Sequence, residues 1–552
     1  MPKKLFLTIA IILVLILSVG SIFWALHLND AINNYRSPLA NDPPAAGSSL
    51  GESLSRRVVF ILVDGLREDL AYNSELMPVF NQLRLQGASA TMHSRTPSFS
   101  TPSYGVLMTG AWPYLSDAPA MNLDYEVIPT MTQDNIFSAA SRMGMKTGAS
   151  GYNWFEKLIP AEDLSSGYFT PGEDDAADRE VVDAALAWLD DPNYQLVLIH
   201  IDQVDHIEHV NGSLSIEASQ AAKNADNYIK EIFAKLDLSQ DTLLICADHR
   251  HIDQGGHGGP EAIVLQEPFT LVGAGIKPGT YADIQQVDVA PTISAILGTN
   301  IPATSQGRVL TDMLVLTPHQ STNIQEATKQ QQEKLLLALE TNLNRVISIN
   351  ENGDIVDSTQ TAIENAIQTR LNSEQWPRLI ISIAVVLVVI SLTIWQRNKH
   401  TLSIILAVAL NLVVFNIAYR FIMKNNYSFS SIKSITNMIV TYAVIGLICL
   451  AITSALLLWY QKVKLRKSGK TMRVMLSYTL LLQFVLFLPA LAYYIIVGKT
   501  ITWALPHITI QFWALHSLLQ VALTGVFGLI IMGIALLIGA INKRSDKKKV
   551  QA

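Results

Sequence analysis

The chain has 552 residues, of which 49% are hydrophobic and 16% charged, with a mean hydropathy of +0.28. So apolar an average excludes a purely water-soluble enzyme. A formal net charge of −6 and two cysteines, Cys246 and Cys449, argue against a nucleic-acid-binding module and against a disulfide framework.

In chain order, the first element is an apolar run from Leu5 to Leu28 behind Lys3 and Lys4. It is long enough to span a bilayer, and Phe23-Trp24 stands where a cleavable signal would carry small residues, so residues 1–28 read as a retained membrane anchor. Residues 29–56 are rich in Pro, Gly, Ser and Asn, the composition of a flexible linker. Residues 57–315 have the mixed composition of a globular domain. Strand-like apolar runs fall at 57–63 (RVVFILV), 195–201 (QLVLIHI), 241–247 (DTLLICA) and 269–273 (FTLVG), with helical patterns at 177–189 and 216–236 between them. Continuous rather than alternating apolar strands predict an α/β fold whose sheet is covered by helices on both faces.

Residues 316–377 form a connector whose Leu spacing over 323–347 predicts a helix packed on the domain or near the bilayer. Five more apolar stretches, at 379–395, 401–421, 435–460, 474–497 and 511–541, predict a transmembrane bundle over residues 378–552. With the anchor that makes six spans. Loops expected on the side of the N-terminus carry Arg397 and Lys399, then Lys462, Lys464, Arg466, Lys467, Lys470 and Arg473, then the basic tail from Lys543 to Lys549; the opposite loops carry Lys424, Lys433 and Lys499. The positive-inside rule then puts both termini in the cytoplasm and the soluble domain on the outer side. Arg420, near a span end, is expected to snorkel, and no charged pathway indicates transport.

The chemistry-bearing residues follow the strand-like runs, where ligands bind in sheets of this kind. Asp64 follows the first, Asp202, Asp205, His206 and His209 the second, and Asp248 and His249 the third; His257 lies in GGHGG. A single Asp at a strand end is ordinarily a cap or turn residue, but carboxylates and imidazoles converging from separate strands point to a metal site. Asp205 and His209 can reach one ion from one helical turn or a compact loop. The segment SFSTPSYGVLMTG places the hydroxyls of Ser98, Ser100, Thr101 and Ser103 around Pro102, and raises the question of a nucleophile.

The set VDGLRED, STPSYGVLMTG, DHIEH, ADH and GGHGG, with DVAPTISAILGTNIP and then Gly307-Arg308, resembles the alkaline phosphatase superfamily. Within it the chain is most similar to the type I phosphodiesterase/nucleotide pyrophosphatase group and its relatives, the GPI ethanolamine-phosphate transferases. The resemblance covers residues 57–315 and implies an α/β/α sandwich with a mostly parallel sheet. It also implies two divalent metal ions, one held by Asp64, Ser100, Asp248 and His249, the other by Asp205, His209 and His257. Mixed nitrogen and oxygen donors suit zinc, with manganese tolerated. Counting back from Thr109-Gly110 and Pro102 in the family pattern selects Ser100 as nucleophile; its competitor Thr101 sits where a residue could serve only to start the helix. Asn122 occupies the place of an asparagine that donates to a phosphate oxygen.

Two departures accompany these matches: Arg250 stands where the family has glycine, and the transferases' HG-to-HP doublet is reduced to His257-Gly-Gly-Pro260. His206, Glu208, His251 and Asp253 read as solvated loop neighbours. The implied activity is that of a membrane-bound two-metal phosphodiesterase or phosphotransferase, passing through phospho-Ser100. Its expected partners are membrane lipid and a phosphate diester, lipid-linked or an envelope component. A phosphoethanolamine-type transferase to lipid or glycan acceptors would use the same residues, since hydrolysis and transfer differ only in whether water or a hydroxyl meets the intermediate. A sulfatase, in which Tyr104 replaces the consensus arginine, and an inactive binding or scaffold protein are the alternatives from other classes.

Overall fold

The apolar runs become the centre of one sheet in the computed structural model, which describes residues 3–349, 353–395, 401–463, 465 and 467–551. Its strands are β1 (Arg57–Val63), β2 (Ala88–His93), β3 (Lys146–Tyr152), β4 (Ser166–Thr170), β5 (Tyr194–Ile201), β6 (Asp241–Cys246), β7 (Gln266–Gly273), β8 (Gly279–Thr280) and β9 (Ile284–Gln285). They lie in the order β4-β3-β5-β1-β6-β7-β2-β8, with β9 also pairing β2. The run from β4 to β6 is parallel, and β7 is antiparallel to both β6 and β2. The sheet is thus mostly parallel, as expected. Every residue of β1 is buried. Its alternation sends Val58, Phe60 and Leu62 into one core and Val59, Ile61 and Val63 into the other, because successive strand side chains point to opposite faces.

Helices cover both faces, Val289–Leu297 packing into the core with Val58, Phe60 and Leu62, and Asp175–Leu189 and Ile216–Phe233 into the core with Val59, Ile61 and Val63. Asp175–Leu189 and Ile216–Phe233 start at the N-caps Asp174 and Ser215, whose side chains accept from Ala177 and Ala218 N–H, as unpaired first-turn donors require. The sequence gives no strand signal for β2, β3 or β4, whose small residues resemble a loop. In β3 the small residues answer to packing: a Cβ on Gly148 would lie 2.7 Å from the Trp188 ring, and one on Gly151 would lie 2.5 Å from His200 Cβ.

The chain divides into two compact units, residues 32–370 with 502–508, and residues 1–31, 371–501 and 509–552. The sheet unit therefore includes most of the segment read as a tether. Arg36 donates to both Asp117 carboxylate oxygens, Ser37 N–H donates to the same carboxylate, and Leu39 packs with Leu115, Leu335 and Leu339. It also includes most of the connector, where the helix Pro318–Leu343 opens on a Thr317/Gln320 capping box and ends at left-handed Asn344. That helix buries Leu335, Leu336, Leu339 and Leu343.

The other unit holds the long apolar helices. Among the described residues six candidate spans occur, Leu5–Asn33, Ile355–Ser391, Thr401–Ile422, Ile435–Tyr460, Ser468–Ile496 and Ile508–Asn542. The second differs from the expected start at 379: the helix Ile355–Trp395 runs continuously through Pro377. Arg397, Lys399, Lys464 and Arg466, used above for orientation, lie outside the described residues.

Candidate active site

β5, β1 and β6 are neighbours in the sheet, so the residues that follow them meet. Asp64 comes directly after β1, and Gly65 next to it takes φ +68°, a left-handed conformation that favours glycine. Gly65 N–H donates to Asp248 Oδ1 at 3.2 Å, joining the ends of β1 and β6. After β5 the chain enters the helix Gln203–Asn211, which carries Asp205 and His209 one turn apart, with 3.4 Å between His209 Nε2 and Asp205 Oδ2. His249 Nε2 lies 3.4 Å from Asp64 Oδ1, 3.3 Å from Asp248 Oδ2 and 3.9 Å from Asp205 Oδ1. All seven residues expected from the sequence, Asp64, Ser100, Asp205, His209, Asp248, His249 and His257, come together in one centre.

His257 is set by its loop. Its Nδ1 lies 3.0 Å from the Ser98 carbonyl; a carbonyl only accepts, so Nδ1 carries the proton and Nε2 presents a lone pair. That Nε2 lies 3.0 Å from His209 Nε2 and 3.7 Å from Asp205 Oδ1. An outer partner that fixes the tautomer in this way is characteristic of metal-binding histidines. The glycines around it let the loop approach, since a Cβ on Gly255 would fall 1.8 Å from the Glu208 carbonyl oxygen.

The electrostatics leave this centre incomplete as a purely protein structure. Asp64 Oδ1 and Asp248 Oδ2 are buried without a hydrogen-bond donor, although buried carboxylates are normally satisfied. Burial, then the charges of Asp64 and Asp205, push the Asp248 carboxyl well above the usual range; Asp202 is raised in the same way, chiefly by burial. Burial drives His249 and His251 well below the ordinary imidazole value and His257 down to about 3, so these three imidazoles are neutral and do not offset the acids. Concentrated negative charge, orphaned carboxylate oxygens and neutral imidazoles make a divalent-cation centre. Among the described residues three groups have donor atoms that lie within 4.8 Å of one another in each group: Asp64, Asp248 and His249; Asp205, His249, His251 and His257; and Asp64, His200 and Asp202.

The four hydroxyls separate clearly. Ser100 is the first residue of the helix Ser100–Thr109, and its Oγ lies 3.1 Å from His249 Nε2. Thr101 Oγ1 and N–H both donate to Asn122 Oδ1, at 2.9 and 3.0 Å, and Ser98 Oγ donates to the Gly259 carbonyl. Ser103 is buried in the helix. Asn122 is brought to the same place, its Nδ2 donating to Ser100 Oγ at 3.4 Å. It thus ties down the helix N-terminus while facing the reactive oxygen.

Four contributors escaped the list drawn from the sequence. Tyr104, at the arginine position of the sulfatase pattern, is buried, and its hydroxyl donates to Asp64 Oδ2 and lies 2.9 Å from His200 Nε2. Four residues after Ser100, it shares a helix face with it, which is the signal that could have found it. His200 Nε2 lies 2.9 Å from Asp64 Oδ2 and 3.8 Å from Asp202 Oδ1. His251, expected as a solvated loop residue, is fully buried, with Nε2 at 2.6 Å from Asp205 Oδ1. Glu208, also expected at the surface, is fully buried; its carboxyl accepts from Ser213 Oγ and is pushed up to about 8 by burial. The other two keep partners of their own, His206 Nδ1 at 2.8 Å from Glu173 Oε2 and Asp253 in an ion pair with Arg67. Arg250 turns to Glu68 and the Gln266 carbonyl, a structural tie.

Strand order and donor set together define an α/β domain with a divalent-cation centre, similar to the metalloenzyme domains of the alkaline phosphatase superfamily. Sequence comparison agrees on that class: residues 58–114 match the profile of the type I phosphodiesterase/nucleotide pyrophosphatase family, and residues 164–257 that of the metalloenzyme superfamily. The chain is 27% identical over 297 residues to GPI ethanolamine phosphate transferase 2, catalytic subunit, of Homo sapiens, covering 50% of this chain and 30% of that protein. It is 23% identical to GPI ethanolamine phosphate transferase 2 of Aspergillus fumigatus, over 47% of this chain and 37% of that one. The chain thus spans about a third of the length of these curated relatives. The solved structure of murine ectonucleotide pyrophosphatase/phosphodiesterase 5 overlaps 44% of this chain and 96% of its own at 12% identity, with a TM-score of 0.37.

Proposed function

We propose that the protein is a membrane-bound, two-metal phosphotransferase that takes a phosphoethanolamine-type group from a phosphate diester through a phosphorylated Ser100. The observation that carries this reading is the Ser100 hydroxyl, at a helix N-terminus, 3.1 Å from His249 Nε2 and beside the donorless oxygens of Asp64 and Asp248. Asp64, Ser100, Asp248 and His249 would hold one zinc ion, and Asp205, His209 and His257 a second. When bound, such ions supply Lewis-acid stabilisation of the attacking and leaving oxygens of a phosphoryl transfer.

The chain's own groups do the rest. The positive end of the Ser100–Thr109 helix dipole faces negative charge developing near Ser100. Asn122 Nδ2, on the open side, offers a donor to a phosphoryl oxygen. Tyr104 and His200 hold the second oxygen of Asp64, which fixes the orientation of the first. Ser100 Oγ attacks phosphorus as the bond to the departing alcohol breaks; a second alcohol, or water, then attacks the phosphoserine on phosphorus and frees Ser100. The His209 side chain is 40% exposed while His249 is sealed, so substrate and acceptor reach the centre from the His209 side.

The names of the relatives support transfer over simple hydrolysis, and a lipid-linked acceptor. The distribution of Lys and Arg between loops supports cytoplasmic termini and an outward-facing catalytic domain. The decisive experiment incubates the full chain in detergent with zinc, phosphatidylethanolamine and a panel of phosphate mono- and diesters. Phosphoethanolamine should be trapped on Ser100 by mass spectrometry, and Ser100→Ala should lower turnover by about 10³-fold or more. A Ser100→Ala protein as active as the parent removes the serine from the mechanism.

A further inference from the structure

The segment after β6 reads Ala247-Asp248-His249-Arg250-His251, and its side chains divide sharply. Asp248 and His249 face the centre, Arg250 turns away to Glu68, and His251 turns back. Arg250 N–H is held by the Val264 carbonyl at 3.0 Å and Ile252 N–H by the Gly256 carbonyl at 2.9 Å, which fixes the segment against the His257 loop. His251 is fully buried, with Nε2 at 2.6 Å from Asp205 Oδ1. Its ring centroid lies 4.7 Å from that of His209 and 5.0 Å from that of His257. Its Nδ1 is buried without a hydrogen-bond partner, so no carbonyl assigns the proton to one nitrogen. Space for the ring comes from the facing residue, since a Cβ on Gly65 would lie 2.9 Å from His251 Nε2.

We propose that His251 is a further ligand of the second cation, joining Asp205, His209 and His257 in a set of three imidazoles and one carboxylate. The inference rests on the two-metal reading above and goes beyond its ligand list. Four protein donors satisfy the preferred coordination of zinc, leaving a substrate oxygen to enter only by expansion to five. Three imidazoles also shift preference towards zinc and cobalt and away from manganese and magnesium, which favour oxygen donors. The second position thereby becomes the more selective of the two.

The rival role for the same geometry is a hydrogen bond from His251 Nε2–H to Asp205, and two substitutions separate them. Glutamine can keep an N–H donor towards Asp205; phenylalanine keeps the ring shape and offers neither donor nor lone pair. The full chain, His251→Gln and His251→Phe are stripped with chelator, reloaded with zinc and titrated with a competing zinc indicator, and their cobalt forms are compared by visible absorption. Both variants should lose at least about 100-fold in affinity at one of the two sites, a loss at or above the outer-partner range. Both should also change the cobalt bands of one site and lower the zinc-over-manganese preference. Retention of wild-type affinity and spectrum by either variant overturns the ligand assignment; retention by glutamine alone identifies His251 as a donor to Asp205. If the unsubstituted chain binds no zinc, the two-metal reading itself fails, an outcome distinct from two bound ions that ignore His251.

Discussion

Each unit of the molecule contains a polar cluster built around a buried histidine, and the two are built on opposite principles. In the membrane-type unit, His516 Nδ1 lies 2.6 Å from the Tyr442 hydroxyl and its Nε2 lies 2.9 Å from Gln520 Nε2. The Tyr442 hydroxyl donates to that of Tyr419, which donates to the Asn426 carbonyl. Each of these groups is uncharged or can be so at little cost, and each finds its partner within the cluster. In the sheet unit, Asp64, Asp248 and Asp205 surround His249, with carboxylate oxygens left unpaired. A closed chain of neutral hydrogen bonds completes a structure, whereas crowded carboxylates around neutral imidazoles complete it only with cations.

That contrast can be broken most directly by removing metal. Chelation of the purified full chain should lower the unfolding temperature of the sheet unit by several degrees, since each ion at about 100 times its dissociation constant contributes about 2.7 kcal/mol. An unfolding temperature indifferent to both chelator and zinc would show that the centre is closed without cations. Asp248→Asn sharpens the point because its two effects have opposite signs. The chelated variant should unfold at a higher temperature than the chelated parent, one repelling charge having gone, while the rise on adding zinc shrinks. A variant that loses stability in both states would assign Asp248 a structural role instead.

Glu208 gives the pH dependence. Its folded value of about 8 stands above the ordinary 4.5, so the folded state keeps a proton that the unfolded chain has released between those two values. The stability it contributes is full below about 4.5 and is lost as pH rises through about 8. Chelated Glu208→Gln should therefore unfold with a flatter pH profile than the parent over that window, the difference being at most about 1.4 kcal/mol per pH unit. Parallel profiles would show that the carboxyl is already ionised. The smallest effect is expected in the membrane-type cluster, where Tyr442→Phe should cost about 0.6 to 1.7 kcal/mol. Zinc content should stay the same, and a change in it would undo the separation of the two clusters.

Much of the centre was legible because parallel sheets place ligands beyond the carboxyl ends of strands. An Asp after RVVFILV, an Asp-His after DTLLICA and a helical Asp205/His209 pair could be read without coordinates. His251 and Glu208 read as solvated neighbours because a lone polar residue in a polar stretch, whether the loop of His251 or the short helix of Glu208, carries no periodic signal of burial. His200 escaped because a single histidine inside QLVLIHI reads as part of an apolar strand. β3 escaped because KTGASGY has the composition of a turn, its glycines being required by Trp188 and His200 on neighbouring elements.

The sequence by itself determined the class of sheet, the six apolar stretches and the carboxylates and imidazoles that follow the strands, because hydrophobic period, run length and strand-end position are local properties of the chain. Only the tertiary structure decided which hydroxyl meets His249, that Tyr104 and His200 steady Asp64, and that His251 turns inward to Asp205. Those relations join residues up to 149 positions apart. They depend on how tightly the facing backbones approach, which no single stretch of sequence encodes.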